Sequence, residues 1–522
     1  MRAIDYFDKG AEEFPHRIAI IDRTTQYSYL EAQKASWRIA KAMWAAGLRG
    51  EERVAIFSPN DARILLCMLG LMRAGGVWVP INYRNALDAN VQYLNYSQTS
   101  RLFYHSSFQE QVRQIKSLVP ALRHFVCIDA EIEGDPSLES FMQKGEGAEE
   151  IEWGDAHGNL ERLAGLVPTG GTTGPAKGVM VTNLSWGTMT ELANQNLRCD
   201  DLAPVCLSTA PLSHAAGVVA FAMFSLGATN VVLPGFDALE VLQSIERFHV
   251  THVFLPPTAY YALLAHPKLG DFNYSTLRRL LIAAAPVSPD KFKKGIEVFG
   301  PCLCQSYGQT EAPMYMTFLD PATVAAAAAG HHPERLKSCG KPTLAVRLAI
   351  MDDDGKILPP FKTGEIVARG SLVGAGYYNL PEATAEIRTH GWHHTGDIGY
   401  RDADGFFYIV DRKKDMIITG GFNVYCAEVE ACVMELPQVC ECAVIGVPDE
   451  KWGEAVKAMV VPRDGEPLNE AAVIAHCKMR LGGVKSPKSV EFCSELPKTP
   501  AGKIDKKTIR KPFWEGADRS VH

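Results

Sequence analysis

Short apolar, β-branched runs alternate with helix-like stretches through most of this chain, and that alternation constrains the fold more than any other feature. Residues 53–57 (RVAIF), 77–81 and 229–233 read as strands buried on both faces. Residues 61–75 (DARILLCMLGLMRAG) read as a helix, with Asp61 near its cap and Gly75 at its end. The pattern predicts an α/β fold, a large N-terminal domain of sheets covered by helices on both faces. From 340 to about 408 the texture changes to short strands divided by Gly, Pro and Asp, which predicts a small β-barrel. Asp320-Pro321 ahead of an alanine run predicts a short capped helix just before it.

With 522 residues the chain is too long for one ordinary core, at about 100–200 residues per domain. Hydrophobic residues are 47% and charged residues 22%, which excludes compositional disorder and fibrous repeats. A formal net charge of −7 argues against a nucleic-acid binder, although 476–511 carries ten Lys/Arg against three acids. Thirteen cysteines are scattered without a CxxC pair, and Cys302/Cys304 and Cys440/Cys442 lack zinc spacing. Reduced thiols in a cytoplasmic enzyme are the expectation, and the charged N-terminal residues predict no secretory leader. Residues 203–236 hold no Asp, Glu, Lys or Arg, but their strongest apolar part, 215–228, is only 14 residues long. A bilayer span needs about 20, so a buried strand and a core helix are predicted there, with no integral membrane segment.

Asp411-Arg412-Lys413-Lys414-Asp415 is a compact charged cluster between apolar runs; a solvated turn explains it equally well locally, and two domains meeting there is the sharper reading. Beyond it the pattern is a small α+β unit: helix 427–436, strands 441–447 and 456–461, helix 469–481, strand 489–492. The division predicted is 1–413 and a C-terminal domain, 414–522.

The strongest chemical signal is Thr169-Gly170-Gly171-Thr172-Thr173-Gly174-Pro175-Ala176-Lys177-Gly178, between apolar 163–167 and 179–181. Glycines let backbone N–H groups approach an anion, threonines add hydroxyl donors and Lys177 adds charge, which suits a polyphosphate. It is not a Walker A loop, because a strand rather than a helix follows the lysine. Downstream, Gln305-Ser306-Tyr307-Gly308-Gln309-Thr310-Glu311 combines an aromatic that can cover a purine, a glycine, a hydroxyl and a hard oxygen ligand for Mg2+. A plain strand-end turn explains this heptapeptide equally well on its own. Thr395-Gly396-Asp397 puts an acid after a tight turn, and Arg412 follows fifteen residues later. Pro497-Lys498-Thr499-Pro500-Ala501-Gly502-Lys503 is a loop that presents a lysine.

These motifs, with Gly364-Glu365-Ile366, Gly376-Tyr377-Tyr378-Asn379 and Gly420-Gly421-Phe422-Asn423-Val424, stand in the order and spacing of the adenylate-forming superfamily, and the chain resembles its acyl-CoA synthetases over nearly its whole length. Gly170 stands where the family often has Ser, and Ala176 where Pro is common; Ala283-Ala284-Ala285-Pro286 replaces the adenine-side Gly-Gly-Ala-Pro. The resemblance implies ATP, Mg2+ and coenzyme A as cofactor and co-substrates. It implies that Thr169, Gly170, Gly171, Thr172, Thr173, Gly174 and Lys177 cradle the phosphates. It places Ala284, Ala285 and Tyr307 at adenine, Gly308 beside them, Thr310 at the α-phosphate, Glu311 on Mg2+, and Asp397 and Arg412 at the ribose. Lys503 is implied as the catalytic cation, Lys414 as a hinge, and Gly420-Gly421 as the strand that lines the pantetheine tunnel.

The implied reaction joins a carboxylic acid to CoA through an acyl-adenylate, releasing AMP and pyrophosphate. The segments that line the acid pocket by resemblance, 211–217, 258–261, 283–285 and 308–313, hold no Asp to pair a substrate ammonium and no Lys or Arg to pair a second carboxylate. A hydrophobic monocarboxylic acid, fatty or aryl, is expected, with small residues leaving volume; His214 gates the pocket, supports the carboxylate or serves packing alone. An acyl-AMP ligase, a luciferase-like enzyme and an inactive nucleotide-binding scaffold stay open as alternatives. The implied partners are small molecules, with no nucleic acid, and relatives suggest a homodimer.

Overall fold

The computed structural model describes residues 1–151, 160–169, 176–463, 468–498 and 504–515. Two large sheets dominate. One has six strands in the order His124–Cys127, Arg101–Tyr104, Arg53–Phe57, Val77–Pro80, Leu163–Pro168 and Gly178–Thr182, parallel except for the last pair. The other has nine, with a parallel centre of Leu303–Tyr307, Arg279–Ile282, His252–Leu255, Val205–Ser208, Thr229–Val232 and Ile18–Ile21, and antiparallel edges. Their strands are continuous apolar runs because both faces are covered, as expected for parallel strands.

The largest core lies between these sheets. It collects Val54, Trp78 and Phe103 from one, Cys206, Phe254 and Leu281 from the other, and the helices between them. Helix Ala62–Arg73 is buried along its whole length and starts at Asp61, whose carboxylate accepts from the Arg63 N–H. Helix Ala215–Met223 is apolar all round and buried, which is the answer to the charge-free stretch. Among the described residues no helix is long and apolar enough to cross a membrane.

The segment expected to form a barrel is a four-stranded antiparallel sheet, Val346–Met351, Gly364–Gly370, His393–Arg401 and Phe407–Arg412. Among the described residues its first and last strands are not paired with each other; instead an isolated bridge, Gly340 to Phe407, connects the last strand toward the nine-stranded sheet. Beyond Arg412 a second antiparallel sheet, Phe422–Val424, Ile417–Thr419, Gly453–Pro462 and Val439–Asp449, is extended in parallel by Ser489–Phe492. Helices Cys426–Val433 and Glu470–Lys485 pack on it around their own apolar core. All thirteen cysteines are free.

One buried cation ties the first helix to this framework. Arg73, 2% exposed, donates to Asp8 at 2.9 and 2.6 Å and to Ser36 at 2.8 Å, with its guanidinium 4.5 Å from the Trp37 ring. Asp8→Ala removes the counter-charge and leaves the guanidinium buried. It should cost about 3–5 kcal/mol in urea unfolding; a loss below about 1 kcal/mol would mean that Arg73 is solvated in another way.

Candidate active site

The phosphate-loop candidate sits at the tip of a hairpin. Leu163–Pro168 pairs antiparallel with Gly178–Thr182, and Pro168 faces Gly178. At the neck, the Thr169 N–H donates to the Lys177 carbonyl at 2.9 Å and the Lys177 N–H to Thr169 Oγ1 at 3.2 Å. Gly170, Gly171, Thr172, Thr173 and Gly174 lie outside the described residues. Lys177 projects its ammonium 4.8 Å above the Tyr377 ring, a cation–π contact, and the Tyr377 hydroxyl donates to Glu311 Oε1 at 2.6 Å. Burial, and then the Glu311 charge, push the Tyr377 hydroxyl pKa well up, so it remains a donor. Backbone bonds lace the same groups together: Ala375 donates to Met180, Met180 to Gly376, Tyr378 to Gly178 and Gly374 to Glu311, each at 2.8 Å.

Asp397 forms the second half. It is 3% exposed, and strand register sets it opposite Arg412, whose Nε donates to Oδ1 at 2.7 Å. Oδ2 accepts from the Tyr307 hydroxyl at 2.5 Å and from Gln309 Nε2 at 2.7 Å. The turn ahead of Asp397 is fixed by Glu365, a buried carboxylate that accepts from the Gly396 N–H at 2.9 Å and pairs with His394 at 3.1 Å and Lys413 at 3.3 Å. His393 packs behind this turn with Nε2 3.4 Å from Gln309 Oε1. Burial lowers its pKa to about 4, so it is neutral.

One turn joins the halves. Tyr307 and Gln309 reach Asp397, while Glu311 reaches Lys177 through Tyr377. Thr310 stands at its tip, and Gln309 and Ala312 exchange backbone bonds beneath it. Gly308 differs from the expectation. A Cβ there would meet the Met314 backbone at 2.4 Å, so the missing side chain makes room for the chain's own turn and not for a ligand. Ala312 is fully buried in the core and likewise adds no open volume. Ala284 is exposed and holds φ +80°, a left-handed conformation that costs a residue with a Cβ of order 1 kcal/mol. Ala285 beside it is half-buried.

His214 opens helix Ala215–Met223, its Nδ1 3.0 Å from Ser213 Oγ. It faces solvent yet is walled by protein; desolvation, and then the Arg84 cation, lower its pKa. Arg84 stands 130 residues earlier in the sequence than the histidine it acts on.

In the C-terminal part, Lys503 lies outside the described residues; the loop that bears it is closed by the Lys498–Ile504 bridge and by the Asp505 N–H donating to the Pro497 carbonyl at 2.8 Å. Gly420 and Gly421, expected on a strand, occupy the turn between Ile417–Thr419 and Phe422–Val424 at φ +57° and +82°. A Cβ on Gly420 would meet the Trp452 ring at 2.6 Å, so indole fills that space; nothing lies within 4 Å of one on Gly421. Lys414 is exposed in the turn after Arg412. Among the described residues, five cations of 476–511 are already spent in ion pairs, namely Arg480, Lys485, Lys498, Lys506 and Arg510. Gln309, Tyr377, Glu365 and Asp411 were not assigned roles from the sequence, although all four sit inside motifs that it displays.

Fold and site together define an enzyme of the adenylate-forming class. Family models for the AMP-binding enzyme and the AMP-binding enzyme C-terminal domain match residues 7–378 and 428–503. A feruloyl-CoA synthase from Amycolatopsis sp is 37% identical over 97% of this chain and 98% of its own length. The medium/long-chain-fatty-acid–CoA ligase FadD8 of Mycobacterium tuberculosis is 44% identical over 69% of this chain, a match that spans 63% of that protein. The crystal structure of ATP-bound MatB from Rhodopseudomonas palustris superposes with a TM-score of 0.86 at 28% identity, covering 99% of this chain and 100% of that one. The chain belongs to the AMP-binding enzyme family, in the acyl-CoA synthetase branch of the adenylate-forming superfamily.

Asp411 yields a pH signature. Its Oδ1 accepts from the Arg412 N–H and its Oδ2 from the Cys426 N–H at the start of helix Cys426–Val433, and burial raises its pKa to about 6. Because the folded pKa exceeds the unfolded one, the native state holds the proton longer, and stability falls as pH rises from about 4 to 6, by on the order of 2–3 kcal/mol. Asp411→Asn should flatten that fall in urea unfolding across this range; an unchanged slope would assign the pH dependence elsewhere.

Proposed function

We propose that this chain is an AMP-forming acid–CoA ligase acting on hydrophobic monocarboxylic acids, fatty or aryl. The observation that carries the reading is the turn Tyr307–Glu311, which ties a buried acid–arginine pair suited to ribose to a lysine suited to phosphate. In the first half-reaction the substrate carboxylate attacks the α-phosphorus of ATP, the bond to the β-phosphate oxygen breaks, and pyrophosphate leaves. Two anions must be aligned and neutralised for this. The Thr169–Lys177 loop holds the β- and γ-phosphates, Thr310 contacts the α-phosphate, Tyr307 packs at adenine with Ala284 and Ala285 nearby, and Asp397 and Arg412 hold the ribose. Glu311 commits one oxygen to Tyr377, and its other is the hard donor Mg2+ prefers, so these residues fit the ion, which would supply charge neutralisation at the phosphates. Lys503 bridges the carboxylate and α-phosphate oxygens.

In the second half-reaction the CoA thiol attacks the acyl carbonyl and AMP leaves. We assign residues 1–413 to acid and nucleotide binding and 414–522 to a unit that turns about Lys414, withdrawing Lys503 and bringing Gly420-Gly421 to the pantetheine path; Trp452 must then move or form part of its wall. Asp411 bonding the next helix, and Asp415 paired with Arg510 at 3.3 Å, place charged contacts on both sides of this hinge. The acid class rests on the apolar pocket segments and on the relatives' names. A homodimer in the cytoplasm completes the proposal, in keeping with thirteen free thiols.

A pyrophosphate-release screen over fatty, aryl, hydroxy and amino acids, with and without CoA, tests the reaction. Hydrophobic monocarboxylates should release pyrophosphate, with thioester formed only when CoA is present; orthophosphate as product, or release independent of acid, would refute it. Lys503→Ala should lower adenylation by about 100-fold or more while sparing thioester formation from supplied adenylate. Equal loss of both steps would remove Lys503 from its assigned role.

A further inference from the structure

Away from the active site, the two helices of the C-terminal unit bring together a set of side chains that apolar packing does not call for. Cys432, 4% exposed, sits at the end of helix Cys426–Val433, and Glu435 lies just beyond it. His476 and Cys477 are neighbours on the facing helix Glu470–Lys485. The Cys432 sulfur, a Glu435 carboxylate oxygen and a His476 ring nitrogen all lie within 4.8 Å of one another. Cys477, next to His476 in the sequence, is fully buried.

A second observation points to a ligand. His476 Nε2 is 3.3 Å from Glu435 Oε2 without hydrogen-bonding geometry, and it is a buried nitrogen with no hydrogen-bond partner among the described residues. A buried ring nitrogen in that state is uncommon in a folded protein. Glu435 is drawn the other way, accepting from Arg480 Nε at 3.1 Å and Nη2 at 3.0 Å.

We propose that Cys432, His476 and Glu435 form a binding site for one divalent transition-metal ion, Zn2+ being the best match. A sulfur, an imidazole and a carboxylate are donor types that zinc takes, with a fourth position left to water. A thiolate and a carboxylate carry two negative charges against two on the ion. The partly exposed Glu435 gives the ion a path in from solvent. Binding would clamp the helix that follows the hinge to the long helix of the same unit and would raise its stability, because the ion binds only the folded arrangement. This site is separate from the proposed ligase chemistry, so either claim can fail alone.

The test is titration of metal-stripped, reduced, full-length protein with Co2+ as the optical probe and Zn2+ as competitor. One ion per chain is expected, with thiolate-to-cobalt charge-transfer absorption that Zn2+ abolishes, and a higher melting temperature with Zn2+. Cys432→Ser and His476→Gln should each weaken Zn2+ by more than the roughly 10–100-fold typical of losing an outer partner. His476→Gln is the safeguard against misfolding, since only the tip of that side chain is enclosed and the rest is partly exposed. No charge-transfer band, binding indifferent to both substitutions, or a Cys432–Cys477 disulfide in protein purified without reductant would each overturn the site.

Discussion

A carboxylate that water cannot reach holds this site together. Asp397 has lost nearly all its hydration, a large cost unless replaced, and the replacement includes three donors from two parts of the chain: Tyr307, Gln309 and Arg412. Two of them come from the end of the nine-stranded sheet and one from the neighbouring strand of the small antiparallel sheet. The acid therefore fixes the relative position of those sheets at the place where the nucleotide has to sit. Arg412 is the exception among the donors, because its side chain is about half exposed and can turn toward a ligand.

The same economy governs the phosphate side. Among the described residues Lys177 is paired with no acid, which would neutralise it; it lies over an aromatic face while the tyrosine hydroxyl faces Glu311. A cation–π contact orients the ammonium at modest cost and leaves its charge for an anion. The arrangement keeps lysine and glutamate apart by one ring, close enough to serve one polyphosphate and prevented from cancelling each other.

Much of this was legible in the sequence, for identifiable reasons. Parallel strands buried on both faces announce themselves as apolar runs, so 53–57 agrees with the observed strand to the residue; Asp61 and Asp320 cap the helices expected after them, and Asn469, expected as the first residue of a helix, is its cap. What the sequence could not reveal was what fills a gap. A glycine shows that a side chain is absent, not which neighbour takes the space, so Gly308 is closed by Met314 and Gly420 by Trp452. Nor does a list of pocket segments show what arrives from elsewhere, as Arg84 does at His214. Glu365 and Tyr377 were visible as motif letters, and only their hydrogen bonds give them work.

If Asp397 is the group that makes both the architecture and the ribose site, replacing it by an isosteric neutral amide should separate the two. The direct measurement is steady-state pyrophosphate release by Asp397→Asn across ATP concentration, alongside its unfolding curve. Losing charge-assisted bonds of about 1.5–3 kcal/mol predicts a roughly 10–100-fold rise in KM for ATP in a protein that still folds. An unchanged KM in the folded variant would contradict the account.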